Sequence, residues 1–164
     1  MNIVLHEPEI PSNTGNIARS CAATGSKLHL IKPLGFETDD KHLKRAGLDY
    51  WDKVDVYYYE NFEDFLEKAK PKRIIMATTK AHQIYSDFKY EPDDFIMFGK
   101  ESAGIPEEIL VDNEETCVRI PMIGDLRSLN LSNSVSIILY EALRQLNFDG
   151  MNVSGKLHRL QWKD

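Results

Sequence analysis

The sequence predicts an α/β fold, a mainly parallel sheet with helices on both faces. Three observations carry this expectation. Short apolar runs alternate along the chain with segments of helical spacing. Several of the runs are apolar on both faces, as strands covered on both sides must be. The polar, glycine-containing stretches fall after the ends of the strands, where ligands of such sheets collect.

Asn2 to Leu5 reads as the first strand, closed by a turn region from Pro8 to Pro11. Thr14 to Thr24 reads as a helix packed through Ile17, Ala18, Cys21 and Ala22, with Gly25 as its stop. Leu28 to Ile31 is a second strand and Asp39 to Arg45 a short charged helix. Val54 to Tyr59 is a third strand. Asn61 then caps a helix carrying Phe62, Phe65, Leu66 and Ala69. Arg73 to Thr78 and Phe95 to Phe98 are apolar strands separated by a stretch of no clear period. Pro106 to Leu110 is a helical turn with proline at its start. Val118 to Ile120 is the last strand. The final helix shows i, i+3, i+4, i+7 spacing through Val135, Ile138, Leu139, Ala142, Leu143 and Leu146.

The 164 residues, 42% of them hydrophobic, suffice for one domain, residues 1–164, with a single core. No apolar run approaches the ~20 residues that span a bilayer, and no basic-then-apolar leader opens the chain. A cytoplasmic protein without membrane attachment is expected. Cys21 and Cys117 lack metal-ligand spacing and sit in apolar contexts, as buried free thiols do. The five histidines are scattered, so no metal site is expected. The net charge of −6 does not favour nucleic acid as a whole-molecule argument, but phosphate binding depends on local cations. Two basic segments stand out: Lys41, Lys44 and Arg45, and the tail with Lys156, His158, Arg159 and Lys163.

The chemistry concentrates in three loops. Asn13, Gly15 and Arg19 lie around the first helix start, where Arg19 offers a permanently charged fork for phosphate or carboxylate. Gly99-Lys-Glu-Ser-Ala-Gly104 has two glycines where backbone turns sharply or approaches a ligand. The third runs from Arg119-Ile-Pro-Met122 to Arg127-Ser-Leu-Asn-Leu-Ser-Asn-Ser134. Its five Ser or Asn residues between Ser128 and Ser134 exceed what capping of one helix needs, which suggests a ligand seat. Each loop alone has a bland reading as well: a surface ion pair for Arg19, a plain strand-to-helix turn for Gly99–Gly104. No G-x-G-x-x-G follows the first strand, the Lys of Gly99-Lys100 is misplaced for a phosphate loop, and no G-x-S-x-G is present.

Together the three loops resemble the motif set of the SPOUT superfamily of knotted methyltransferases, in its ribose 2′-O-methyltransferase branch. The N-x-G-x-x-x-R motif is matched by Asn13, Gly15 and Arg19, and G-x-E-x-x-G by Gly99, Glu101 and Gly104. The I-P-M … S-L-N-x-S motif is matched by Ile120, Pro121, Met122, Ser128, Leu129, Asn130 and Ser132. The opening Leu5–Asn16 and the segment Lys44–Tyr50 are similar to the minimal members, which lack an RNA-binding extension before the first strand. Those members methylate the ribose of the wobble-position cytidine or uridine of tRNA.

The resemblance implies a C-terminal trefoil knot and S-adenosylmethionine as methyl donor. It implies a cofactor seat of Ala77, Thr78, Gly99, Glu101, Gly104, Ile120, Met122, Ser128, Leu129 and Asn130. Arg19 is implied as the catalytic arginine, with Asn13 orienting it and Ser128 or Asn130 holding the target ribose. Tyr140 reaches the same pocket or serves as a core aromatic. A homodimer is implied in which the arginine of one subunit faces the cofactor of the other, with tRNA as partner and the two basic segments as its contacts. Three alternatives stay open: methylation of ribosomal RNA or another tRNA position, a non-catalytic knotted RNA-binding module, and a small-molecule nucleotide enzyme.

Overall fold

The computed structural model describes residues 1–37, 50–124 and 126–163. The charged helix expected over Asp39–Arg45, and most of the Lys44–Tyr50 segment, lie outside the described residues. Seven strands form one sheet: β1 (Asn2–His6), β2 (Lys27–Ile31), β3 (Val56–Tyr59), β4 (Ile74–Ala77), β5 (Gln83–Ile84), β6 (Phe95–Phe98) and β7 (Cys117–Arg119). Their order is β3-β2-β1-β6-β4-β7-β5, and every pairing is parallel. The helices are α1 (Pro11–Thr24), α2 (Phe62–Ala69), α3 (Glu107–Leu110) and α4 (Leu131–Gln145). A 3-10 segment, Val111–Thr116, leads into β7.

Alternating strand residues feed two separate cores, which is why the runs read as apolar on both faces. Ile3, Leu5, Ile75, Ile96 and Phe98 join Ile17, Cys21, Val135, Ile138 and Leu139 beneath α1 and α4. Val4, Met76 and Met97 point the other way, to Tyr59, Phe65, Ile105 and Leu110. Each fully buried aliphatic of this kind stabilises the fold by roughly 1.5–3 kcal/mol. Ala18 and Ala22 keep the α1 surface low, and α1 meets α4 at a Ser20–Ser136 hydroxyl contact of 3.3 Å. Both cysteines are free and buried. Asp94, buried at the start of β6, takes a forked pair of hydrogen bonds from Arg73 at 2.7 and 2.5 Å.

Several boundaries differ from the sequence expectation. Helix α1 begins at Pro11 rather than Thr14, without any side-chain cap of its own. The helix α4 begins at Leu131, capped by the Asn130 side chain, so Ser132 to Ser134 form its first turn. Strand β3 is two residues shorter at its start, β4 loses Arg73 and Thr78, and β7 lies one residue earlier. The two-residue β5 is an addition to the expected elements, because Gln83–Ile84 has no periodicity to read. Asn61 caps α2 as expected, accepting from the Asp64 N–H at 2.8 Å.

His29 sits in the second core, 4% exposed, stacked on Tyr57 and bonded through Nδ1 to the Tyr59 hydroxyl at 2.8 Å. Burial, with a smaller contribution from Lys27, pushes its pKa down from 6.5 to about 4. The unfolded chain therefore binds a proton that the folded chain refuses as pH falls from 6.5 to 4. Stability present above pH 6.5 is lost across that window, on the order of 3 kcal/mol. Urea unfolding at pH 7 and pH 4 measures the loss. It should shrink in His29→Gln, and an equal loss in that variant would acquit His29.

Candidate active site

The carboxyl ends of β1, β6, β4 and β7 lie side by side in the sheet, so the loops that follow them converge. Between these loops opens a cavity of about 490 Å³. It is lined by Ile10 and Asn13 after β1, by Thr78 to Lys80 after β4, and by Gly99 to Gly104 after β6. Ile120, Met122 and Arg127 to Asn130 close it after β7, and Ile138 contributes from α4. The ten residues expected to seat a cofactor, Ser128 among them, all line this one cavity, and so does Asn13.

Glycine geometry shapes the β6 loop. Gly104 has φ of +74°, a left-handed conformation that favours glycine. At Gly99 a Cβ would overlap the backbone of Gly104 and Ile105, because the loop folds back tightly on itself. The Gly104 N–H donates to the Lys100 carbonyl at 2.8 Å to close that fold.

A hydrogen-bond relay joins the three motif loops. The Glu101 carboxylate accepts from the Glu9 N–H (2.8 Å), the Ile10 N–H (3.2 Å) and the Asn13 side-chain amide (2.9 Å). It thus holds the backbone just ahead of α1 from another loop, while Pro11 at the first helical position has no N–H to satisfy. The Asn13 carbonyl oxygen accepts from the Asn130 amide at 3.0 Å. Asn130 in turn accepts from the Ser132 N–H and hydroxyl at 2.9 and 2.7 Å, capping α4. Each amide therefore has one orientation that satisfies its neighbours. Glu9 ties the two loops in the other direction, accepting from the Ser102 N–H and hydroxyl, which hold its carboxyl below the usual range. Glu7 pairs with Lys100 at 2.8 Å, and Lys80 with Glu107 at 3.0 Å.

Arg19 stands apart from this cavity. It is exposed on α1, with its guanidinium carbon 4.9 Å from the centre of the Tyr50 ring. Six residues of helix separate it from Asn13, about 9 Å of rise and roughly 240° of rotation, so the two occupy different faces. Asn13 accordingly bonds Glu101 and Asn130, and no hydrogen bond joins it to Arg19 among the described residues. Tyr140, expected in the pocket or the core, is in neither place. It is 44% exposed on the outer side of α4. The cavity residues Ile10, Thr79, Lys80 and Arg127 have no role assigned from the sequence. The available signal for Arg127 is its place directly before Ser128.

A parallel sheet with one cavity gathered by three separated loops at its strand ends defines an α/β protein whose ligand site lies at the carboxyl edge of the sheet. The chain belongs to the SpoU rRNA methylase family, whose profile matches residues 1–140. It is 50% identical over 151 residues to the tRNA (cytidine(34)-2′-O)-methyltransferase of Escherichia coli K12, covering 92% of this chain and 96% of that one. A solved structure concerned with 2′-OH methylation of C/U34 on tRNA matches with a TM-score of 0.84 and 43% identity, covering 89% and 95%. An S-adenosylmethionine-bound rRNA methyltransferase from Sinorhizobium meliloti matches with a TM-score of 0.77 and 27% identity, covering 88% of this chain and 56% of that one.

Proposed function

We propose that this chain transfers the methyl group of S-adenosylmethionine to the ribose 2′-hydroxyl of the wobble-position cytidine or uridine of tRNA. The observation that carries the reading is the Glu101–Asn13–Asn130 relay, which gathers all three motif loops around one cavity. The target nucleotide rests on the 2′-O-methyltransferases that the chain resembles along nearly its whole length.

The cavity fits the proposed cofactor. Gly99 to Gly104 brings bare backbone to its wall, Ile120, Met122 and Leu129 supply apolar surface for a base, and Ser128 and Asn130 supply polar atoms. When bound, the cofactor would supply its sulfonium methyl group in line to the ribose 2′-oxygen, with S-adenosylhomocysteine as the leaving thioether and the hydroxyl proton passing to solvent. The residues of the chain position the hydroxyl and oppose the charge that develops on its oxygen. Well-aligned reactants gain roughly 7–11 kcal/mol in favourable cases. Arg19, a planar cation with N–H donors and no acceptor, stabilises the nascent alkoxide and grips the adjacent phosphate. Its position away from its own cavity supports a homodimer in which it serves the cavity of the partner subunit. The trefoil knot belongs to the same reading. It is supported by a chain path that leaves β4 for β5, returns to β6 between β1 and β4, and comes back to β7 between β4 and β5.

Residues 1–164 act as one unit in this reading, in the cytoplasm and without a metal. Among the described residues no helix is long and apolar enough to cross a membrane, and no cluster of three metal-ligating side chains occurs. Titration with S-adenosylhomocysteine and with NAD tests the cavity assignment. Binding of the former alone is expected, and a preference for NAD would contradict it.

The basic tail provides a further test. Residues 152–163 are exposed and hold Lys156, Arg159 and Lys163 without a carboxylate. Replacing all three by Gln should weaken tRNA binding and reduce its logarithmic salt slope by about 2, at ~0.7 per cation for a single strand. An unchanged slope would remove the tail from the interface.

A further inference from the structure

Three cations line the cavity: Lys80, Lys100 and Arg127. Two are neutralised, Lys80 by Glu107 at 3.0 Å and Lys100 by Glu7 at 2.8 Å. The carboxylate that lines the cavity, Glu101, is engaged by the start of α1 and by Asn13. Arg127, exposed, makes no ion pair or side-chain hydrogen bond among the described residues. Its loop is nonetheless anchored three residues later, where Asn130 caps α4 and bonds Asn13.

We infer that Arg127 is the anion-reading group of the cavity, its guanidinium fork pairing with an oxyanion of a bound reactant. This rests on the methyl-transfer reading above, because that reaction brings two oxyanions to the cavity. One is the carboxylate of the cofactor's amino-acid arm. The other is a phosphodiester beside the target ribose. Both present the planar or tetrahedral oxygen pair that a guanidinium meets with two parallel N–H···O bonds. In a chain of net charge −6, a cavity cation unpaired among the described residues is the feature that a negative reactant meets without displacing an ion pair described there.

The test compares wild type, Arg127→Gln and Arg127→Lys with three probes: S-adenosylhomocysteine, 5′-methylthioadenosine and unmodified tRNA. Methylthioadenosine lacks the carboxylate and so reports the nucleoside seat alone. A tenfold or greater loss of S-adenosylhomocysteine affinity in Arg127→Gln, with methylthioadenosine unchanged, identifies the carboxylate. A comparable rise in KM for tRNA, with a salt slope lower by about 1 and nucleoside affinities unchanged, identifies the phosphate. In either case Arg127→Lys, which keeps the charge and loses the fork, recovers only part of the loss. Equal losses for both nucleosides, or no change with any probe, would overturn the assignment while leaving the cavity reading intact. A wild type that binds neither nucleoside would overturn both.

Discussion

Gly99→Ala is expected to lose at least ~100-fold in S-adenosylhomocysteine affinity while the protein stays folded. The added methyl would overlap the Gly104 carbonyl carbon and the Ile105 nitrogen, which are backbone and cannot rotate aside. Ile105 is itself buried, so the strain passes to the cavity wall. Overpacking of this kind costs about 1–3 kcal/mol of stability, which lowers Tm by a few degrees in a domain this size. The larger effect falls on the ligand, since a shift near 1 Å misaligns every backbone group that the loop presents and costs ~10²-fold. Gly25→Ala is the control. Its φ of +65° makes alanine strained there too, but no atom lies near its would-be Cβ and it borders no cavity. It should lower Tm and leave cofactor affinity alone. Calorimetric titration of both variants decides the matter, and equal affinity in Gly99→Ala and wild type would mean that the β6 loop does not hold the cofactor.

Arg19→Ala is expected to keep cofactor affinity within about twofold and to lose ~10²–10³ in turnover, the usual cost of removing a group that stabilises developing charge. The geometry adds a sharper expectation. Because Arg19 faces away from the cavity of its own subunit, mixing Arg19→Ala with Gly99→Ala should restore activity that neither variant has alone. In the proposed homodimer, half of the dimers are mixed after subunit exchange, and each mixed dimer has one intact cavity opposite an intact arginine. Recovery of roughly one quarter of wild-type turnover is expected from a two-fold symmetric dimer. No recovery, despite mixed dimers detected by mass, would place Arg19 in service of its own subunit's cavity.

Much of this site is legible in the amino-acid sequence because its chemistry uses distinctive residues at separated positions. Gly99, Gly104, Ile120 and Asn130 stand out by glycine conformation, strand-end position and capping potential, and all four meet at one cavity. The parallel sheet is legible for the same kind of reason, since strands buried on both faces write continuous apolar runs. Features set by contacts between distant segments are not readable in this way. Local pattern misplaces the start of α1 because Pro8 to Pro11 reads as a turn, whereas Pro11 opens the helix and the N–H groups just ahead of it bond Glu101, 91 and 92 residues away. Within one chain Asn13 does not reach Arg19, for a related reason. Helical rotation turns Asn13 away from Arg19 and toward Asn130, a partner that only the folded sheet brings near. Tyr140 lies one position past the apolar stripe of Val135, Ile138, Leu139, Ala142 and Leu143, so helical rotation carries it toward solvent, where it is 44% exposed.

The most direct test of the central claim is methyl transfer from tritiated S-adenosylmethionine to tRNA prepared from cells lacking this protein, followed by nuclease mapping of the labelled nucleotide. Label is expected on the 2′-oxygen of a wobble-position cytidine or uridine and is abolished by Arg19→Ala. Label confined to another tRNA position, or to ribosomal RNA in a parallel reaction, would contradict the assigned target. Absence of label from every RNA, with cofactor demonstrably bound, would contradict the catalytic reading itself.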